Sequence, residues 1–584
     1  MTTGSPQPSL SIALLSTSTL QFLAVELKRE LKAWGWQPTI WQSGFNQYRQ
    51  AIADPDSALY EARPEAVILH LDGEDLFADV LKDPFSYSDA ALAEQVKAAA
   101  NELEHWVLEL QRNLPASLLV LSTISLPPVH ALTGLEYHSA WNVTGLAFQF
   151  NAELGRIARA HANILVHDVA ALVSDMGYRN WFDPRLWYLA RSRLSSKACK
   201  ACARSLCALL RAWKGRSKKC IALDLDGTLW GGIVGEDGPA GILVGEEGLG
   251  LAYADFQGEL LNLSRKGVLL AICSKNNEAD ALEAIRTNLS MRLRENDFAA
   301  LSVNWNDKAT NLKELAAALN IGLDSFVFID DNPVERSLVR ATLPEVYVPE
   351  WPQDPSDYKA ALLDLASEQF PRATLSHEDR KRTSLYRAQA DRQALAAASE
   401  SLEEYYRSLE MRAALGPADP TLFPRIAQLT QKTNQFNLTS RRYTESEIAG
   451  LASSPAALVS WLRVRDRFSD EGIVGVLIAR QLNPASAWVI DTLLLSCRVI
   501  GRHLERALVA CACTILRERG ARVIIGEFAP TKKNAIASRV YPDLGFTLLS
   551  ESETLTRWQF PLDEQEIAVP DWISLEMHHE LSNA

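Results

Sequence analysis

Along the chain, short uninterrupted apolar runs alternate with longer stretches in which apolar residues recur every three or four positions. SIALLS, AVILHL, SLLVLS and NILVHDV are separated by amphipathic segments such as TLQFLAVELKRELKAWG. The first pattern is that of strands buried on both faces of a parallel sheet, the second that of helices laid over it. It predicts an N-terminal α/β domain over residues 1–215. After the basic linker RAWKGRSKK the pattern resumes. CIAL, GVLLAIC and SFVFI read as buried strands of a Rossmann-like α/β unit over 216–375, closed by the turn-rich PEWPQDPSDY. A charged helical connector is expected over 376–400. From 401 to 564, strand signals (IVGVLIARQL, SAWVIDTLLLS, RVIIGEF) surround the helical run HLERALVACACTILRERG, as in an α+β domain, and 565–584 reads as an acidic, peripheral tail.

Composition narrows the function classes. The 584 residues exceed one core, since a domain averages roughly 150 residues. With 59 Lys+Arg against 72 Asp+Glu the net charge is −13, so no nucleic-acid partner is expected. No apolar run suits a membrane helix and no positive region precedes the first apolar stretch, so a soluble, cytoplasmic protein without a membrane partner is expected. Cys199, Cys202 and Cys207 cluster in KACKACARSLC, but no second Cys/His pair follows at zinc-site spacing and the segment has helical periodicity. Reduced thiols are the expectation.

Candidate chemistry gathers where the apolar runs of the second unit end. CIALDLDGTLWGG delivers Asp224 and Asp226 to a strand's carboxyl end, GVLLAICSKNN ends in Ser274, SFVFIDDNPVER ends in Asp330 and Asp331, and NWNDKATN sets Lys308 at a helix start. Parallel strands converge their carboxyl ends on one crevice. Four carboxylates, a hydroxyl and an ammonium there suit phosphoryl transfer. A phosphate dianion repels a carboxylate nucleophile unless a hard cation bridges them, so Mg2+ is expected, held by Asp224, Asp331 and Asp330 with the backbone carbonyl of Asp226. Lys308, Ser274 and the backbone around Gly227 and Thr228 would hold the phosphoryl oxygens. Asp224 would attack and carry the phosphoryl group, while Asp226 would protonate the leaving oxygen and later deprotonate water.

DLDGT, Ser274, Lys308 and the Asp330–Asp331 pair resemble, in order, the four motifs of the haloacid dehalogenase (HAD) superfamily. The stretch GGIVGEDGPAGILVGEEGLGLAYADF between the first two is too short for a large cap, so an open crevice is expected. TLWGGIVGEDG, AICSKNN, NWNDKATN, VFIDDNPVER, QLTQKTNQFNLTSRRYT and LLSCRVIGRHLERAL together resemble the FkbH-like proteins, phosphatase-fold enzymes of polyketide biosynthesis. The resemblance implies capture of a glyceryl unit from 1,3-bisphosphoglycerate, removal of phosphate, and transfer to the phosphopantetheine arm of an acyl carrier protein. Many relatives carry Asn where Gly227 stands, and no loss of catalysis is expected from the glycine. The N-terminal region of many long relatives resembles a serine esterase of the SGNH type. Here only STST near Ser16 is present, without a GDS block or terminal DxxH, so a scaffold or docking role is expected for that region.

The third unit resembles the acetyltransferase (GNAT) fold through WVIDTLLLSCRVIGRHLERAL. Arg498 and Gly501 match the start of its RxxGxG/A phosphate loop, and His503 departs from it. The resemblance implies that Arg498 and Gly501 meet the phosphate of the pantetheine arm at a helix N-terminus. Cys497, just before the loop, is the candidate acyl-carrying thiol, activated by that helix end and Arg498. A small buried apolar residue is the competing account. Cys273 is a rival whose side chain alternation should turn away from the crevice. Cys511 and Cys513 read as core, and His503 as a surface residue or a base. Arg441, Arg442, Lys532 and Lys533 would form a basic patch for an acidic carrier protein. Two further readings stand beside glyceryl transfer: a Mg-dependent phosphatase fused to an acetyltransferase acting on another small substrate, and a non-catalytic docking scaffold.

Overall fold

The computed structural model describes residues 8–127, 142–161, 163–372, 399–482 and 486–578, with isolated positions at 138 and between 383 and 396. Two compact units result, Met1–Arg211 and Ala212–Ala584. Among the described residues no helix is long and apolar enough to cross a membrane.

The first unit is a five-stranded parallel sheet of β1 (Ser9–Ser16), β2 (Gln37–Gln42), β3 (Ala66–His70), β4 (Leu118–Ser122) and β5 (Ile164–His167), in the order β2-β1-β3-β4-β5. Helix α1 (Asp89–Asn113) is capped by Ser88, whose side chain accepts from Ala91 N, and lays Leu92, Val96, Leu103, Val107 and Leu110 on the core. Helix α2 (Ser196–Trp213) carries Cys199, Cys202 and Cys207, all buried.

In the second unit, β6 (Cys220–Leu223), β7 (Leu269–Ser274), β8 (Ala300–Val303) and β9 (Phe326–Ile329) form a parallel sheet in the order β8-β7-β6-β9. Its continuous apolar runs have a direct cause. Ile221, Leu223, Leu270, Ile272, Val327 and Ile329 pack into one core, while Cys220, Ala222, Leu269, Ala271, Phe326 and Phe328 pack into another on the opposite face. Registers Leu223↔Ile272 and Leu223↔Ile329 end the three strands level. Between β6 and β7 the described chain holds one short helical turn and helix α3 (Gly248–Arg265), and no inserted domain. Helices α4 (Lys308–Ala318) and α5 (Pro333–Thr342) follow β8 and β9.

An eight-stranded mixed sheet completes the second unit: β10 (Met411–Pro417), β11 (Ala457–Arg465), β12 (Asp470–Gln481), β13 (Ala487–Leu495), β14 (Val523–Phe528), β15 (Thr547–Glu551), β16 (Thr556–Pro561) and β17 (Ile573–Met577), ordered β15-β16-β14-β13-β12-β11-β10-β17. β10 to β13 pair antiparallel, and helix α6 (Leu504–Glu518) crosses from β13 to its parallel neighbour β14. This is the α+β arrangement expected of the third unit. One stretch differs from the sequence expectation. The tail is not wholly peripheral, because Ile573–Met577 adds a strand parallel to β10. The connector lies largely outside the described residues; its described positions are helical, and Arg392 among them is buried.

Candidate active site

The level strand ends of the four-stranded sheet set the site. Asp224 N donates to Ile329 O at 3.0 Å, which holds Asp224 abreast of Asp330. Asp307 caps α4, its Oδ1 accepting from Thr310 N at 2.9 Å, and so fixes Lys308 at the first helical position. Lys308 Nζ lies 2.8 Å from Asp224 Oδ1 and 2.6 Å from Asp330 Oδ2. Burial opposes the lysine's charge, but the two carboxylates outweigh it and raise its pKa above the ordinary lysine value. Burial, with Asp224 alongside, pushes Asp330 up to about 6 against the pull of Lys308, and burial and Asp224 likewise raise Asp331.

Carboxylate oxygens of Asp224, Asp330 and Asp331 lie within 4.8 Å of one another. This all-oxygen, anionic donor set fits a hard divalent cation. Asp330 is already engaged, Oδ2 with Lys308 and Oδ1 with Asn332 N at 2.9 Å, which leaves Asp224 and Asp331 as the principal ligands. Arg336 Nη1 donates to the carbonyls of Asp330 and Asp331 at 2.8 and 2.7 Å, steadying the loop that carries both.

Asp226 is held by three donors: Trp230 Nε1 at 2.8 Å and Val234 N at 3.1 Å on Oδ1, and Asn276 Nδ2 at 2.8 Å on Oδ2. A proton-transfer group needs this fixed aim. The sequence reading passed over Asn276 and Trp230, although both lie inside quoted motifs. Ser274 ends β7, buried, and its carbonyl accepts from Asn304 N at 3.2 Å. Cys273 Sγ turns to the Lys308 carbonyl at 3.7 Å, and burial pushes its thiol up.

Gly227 has φ +71°, and a Cβ there would stand 2.5 Å from Asp331 Oδ2. Its carbonyl accepts from Tyr358 Oη at 3.0 Å. The phosphate role expected of Thr228 is corrected. Its hydroxyl donates to Asp331 Oδ1 and accepts from Asp331 N, both at 3.1 Å, and its N–H goes to Leu225 O at 3.1 Å. With its hydroxyl and backbone donors both spent, Thr228 positions Asp331.

The pantetheine contact expected of Arg498 is also corrected. Arg498 is buried, with Nη1 3.1 Å from Glu471 Oε2, inside a charge cluster that includes Arg392, Asp466 and Arg502. A buried guanidinium seeks a carboxylate partner, and Glu471 supplies it from the start of β12, far along the chain. Arg498 therefore offers its charge neither to the loop nor to Cys497. Gly501 has φ +84°, and its carbonyl accepts from Tyr406 Oη at 2.7 Å. His503 caps α6 in the left-handed region at φ +60° and packs edge-on to Tyr406. Cys497, partly exposed, opens a short 3-10 turn after β13. Its carbonyl accepts from Asn320 Nδ2 at 2.7 Å, and its Sγ is 3.6 Å from Tyr386 Oη, so it faces the phosphatase part of the same unit. The expected basic patch is largely spent: Arg441 pairs with Asp491 and Glu527, Arg442 donates to Asn434, and Lys533 pairs with Asp324.

Among the described residues of the first unit, no triad is built from the STST stretch. Ser18 N donates to Ser16 Oγ at 3.0 Å, and Thr17 Oγ1 to Asp72 Oδ2 at 3.0 Å. Ser122 Oγ instead lies between two buried histidines, 3.3 Å from His70 Nδ1 and 3.4 Å from His167 Nδ1.

A level parallel sheet ending in Asp224, Asp226, Ser274, Lys308 and the Asp330–Asp331 pair, without an inserted cap, defines an HAD-type phosphatase domain. The N-terminal part of the protein BF1531 from Bacteroides fragilis, containing a phosphatase domain and crystallised with Mg, is similar: 32% identical, TM-score 0.58, covering 63% of this chain and 95% of that one. The family described as "FkbH, N-terminal domain" matches residues 11–210, the stretch poorest in quoted motifs. The chain belongs to the FkbH-like family of the HAD superfamily. For the C-terminal part, the ribosomal-protein-S18-alanine N-acetyltransferase of Escherichia coli is 15% identical with a TM-score of 0.21, covering 27% of this chain and 97% of that one. The putative acetyltransferase yncA of Salmonella typhimurium, solved with acetyl-CoA, is 18% identical with a TM-score of 0.21, covering 27% and 98%. No curated protein matches.

Proposed function

We propose that the chain transfers a D-glyceryl group from 1,3-bisphosphoglycerate to the phosphopantetheine thiol of an acyl carrier protein, with loss of phosphate. One observation carries this reading beyond a plain phosphatase. Cys497 hangs by its carbonyl on Asn320, at the end of the helix that begins with Lys308, so a thiol and a phosphoryl site share one compact unit.

In the phosphoryl half, an Asp224 carboxylate oxygen attacks phosphorus as the bond to the leaving oxygen breaks, and Asp226 delivers the proton that the leaving oxygen takes. Lys308 neutralises charge on Asp224 and on the phosphoryl oxygens, and Ser274 closes the oxygen cradle. Asp226 then removes a proton from water, which attacks the aspartyl-phosphate and frees Asp224. Asp224 and Asp331 would hold a Mg2+ ion, which when bound would supply charge neutralisation at the phosphoryl site. In the acyl half, the Cys497 thiolate attacks the acyl-phosphate carbonyl, phosphate leaves with the C–O bond, and the carrier thiol then displaces Cys497.

Intact-protein mass spectrometry tests the sequence of events. After incubation with 1,3-bisphosphoglycerate, Mg2+ and a phosphopantetheinylated carrier, a glyceryl or phosphoglyceryl adduct is expected on the enzyme and then on the carrier. Cys497→Ala abolishes it, and Asp224→Asn stalls it in the phosphorylated form. Phosphate release without mass gain on either protein overturns the transfer and leaves a phosphatase.

A further inference from the structure

β13 and β14 pair only from Ala487 and Val523 to Ile490 and Gly526, although β13 runs on to Leu495 and β14 to Phe528. The strands therefore part. A parted pair exposes a row of backbone donors and acceptors that any extended, amide-bearing chain can join. Here the protein's own chain has joined it. Leu438 N donates to Leu493 O at 3.0 Å, Leu495 N to Phe436 O at 3.0 Å, and Ala529 N, just past β14, to Leu438 O at 2.8 Å. Asn437 pairs antiparallel with Leu494.

This three-residue insert is anchored on every side. Asn437 is fully buried, its Oδ1 accepting from Ser440 N at 2.9 Å and its carbonyl from Asn534 Nδ2 at 2.9 Å. Phe436 and Leu438 belong to the sheet's main apolar core. The loop after β13 is occupied as well. Arg498 goes to Glu471, while Arg502 donates to Asp466 at 3.1 Å and to the Arg498 carbonyl at 2.7 Å. At the start of α6, Glu505 stands in the first turn, its Oε1 3.8 Å from His503 Nδ1.

We infer that Phe436–Leu438 is a built-in strand that excludes coenzyme A, and any other extended thioester carrier bearing a diphosphate, from the gap between β13 and β14. The inference concerns the sheet alone and stands whether or not the glyceryl group is the cargo.

Hydrogen exchange on the full-length protein, read by mass spectrometry with and without millimolar coenzyme A, tests it, together with calorimetric titration of coenzyme A and acetyl-CoA. The expected result is strand-like protection at Leu438 and Leu495, unchanged by either compound, and no binding heat. Asn534→Ala, which removes one buried hydrogen bond to the insert, speeds exchange at Leu438 about five- to tenfold. Loop-like exchange at Leu438 in the unaltered protein, its deprotection by coenzyme A, or micromolar binding of acetyl-CoA would each overturn the inference. The unaltered protein alone decides it if the variant does not fold.

Discussion

Gly227 separates two costs that a substitution usually mixes. Its φ of +71° lies in the left-handed region, and a Cβ built there would sit 2.5 Å from Asp331 Oδ2 and 2.7 Å from Asp331 Cγ. Alanine in that conformation loses about 1–2 kcal/mol, whereas asparagine, whose short polar side chain suits the region, loses less. The collision is common to both. Asp331 cannot swing aside freely, because Thr228 Oγ1 donates to its Oδ1 and accepts from its N–H, both at 3.1 Å. Displacing a metal ligand in this way costs about 10- to 100-fold in affinity. Gly227→Ala and Gly227→Asn are therefore expected to weaken Mg2+ binding to the same degree, with only the alanine variant also losing about 1 kcal/mol of stability. Calorimetric Mg2+ titration and denaturant unfolding read the two effects separately. Unchanged Mg2+ affinity in Gly227→Asn would show that Asp331 gives way, and would refute the steric argument.

Two further outcomes follow from buried charges. Burial, with His70 nearby, lowers His167 to about 3, below its ordinary 6.5; the unfolded chain then takes up the proton first, so stability present above pH 6.5 is lost as pH falls toward 3. Between pH 7.5 and 5 this amounts to about 2 kcal/mol, measurable as faster exchange of β4 and β5 amides and reduced in His167→Gln; equal acid sensitivity in both proteins would dismiss it. Glu471→Gln leaves Arg392 and Arg498, 2.8 and 3.1 Å from Glu471, short of a buried countercharge. Unfolding of the β10–β17 sheet should fall by about 3–5 kcal/mol, while Mg2+-dependent phosphate release at room temperature persists; a loss under about 1 kcal/mol would mean that water or neighbours take the charge.

The phosphoryl site was legible because its signal is local. Strands buried on both faces write uninterrupted apolar runs, and level registers bring whatever follows each run to one crevice, so Asp224, Ser274 and Asp330 could be grouped from spacing. Lys308 was legible because NWNDKATN reads as the start of a helix. The partners of Thr228 and Arg498 were hidden, because each reaches across the fold to a residue far along the chain. The insert at Phe436–Leu438 was hidden more deeply: three residues have no period, and their partners in β13 lie more than fifty positions on. β17 is a different case. Ile573, Leu575 and Met577 alternate with Ser574 and Glu576, the pattern of a strand with one face turned inward, and acidic composition drew attention from it.

The bond from Asn320 to Cys497 bears on how such a chain can be recombined. Met1–Arg211 is a compact unit of its own, a block that recombination can exchange. A crossover between the two later sheets is another matter. It would cut the Asn320–Cys497 and Asp324–Lys533 links at once, and a hybrid would inherit a thiol whose backbone no longer has a neighbour to lean on. Evolution by shuffling should therefore move these two sheets as a single cassette.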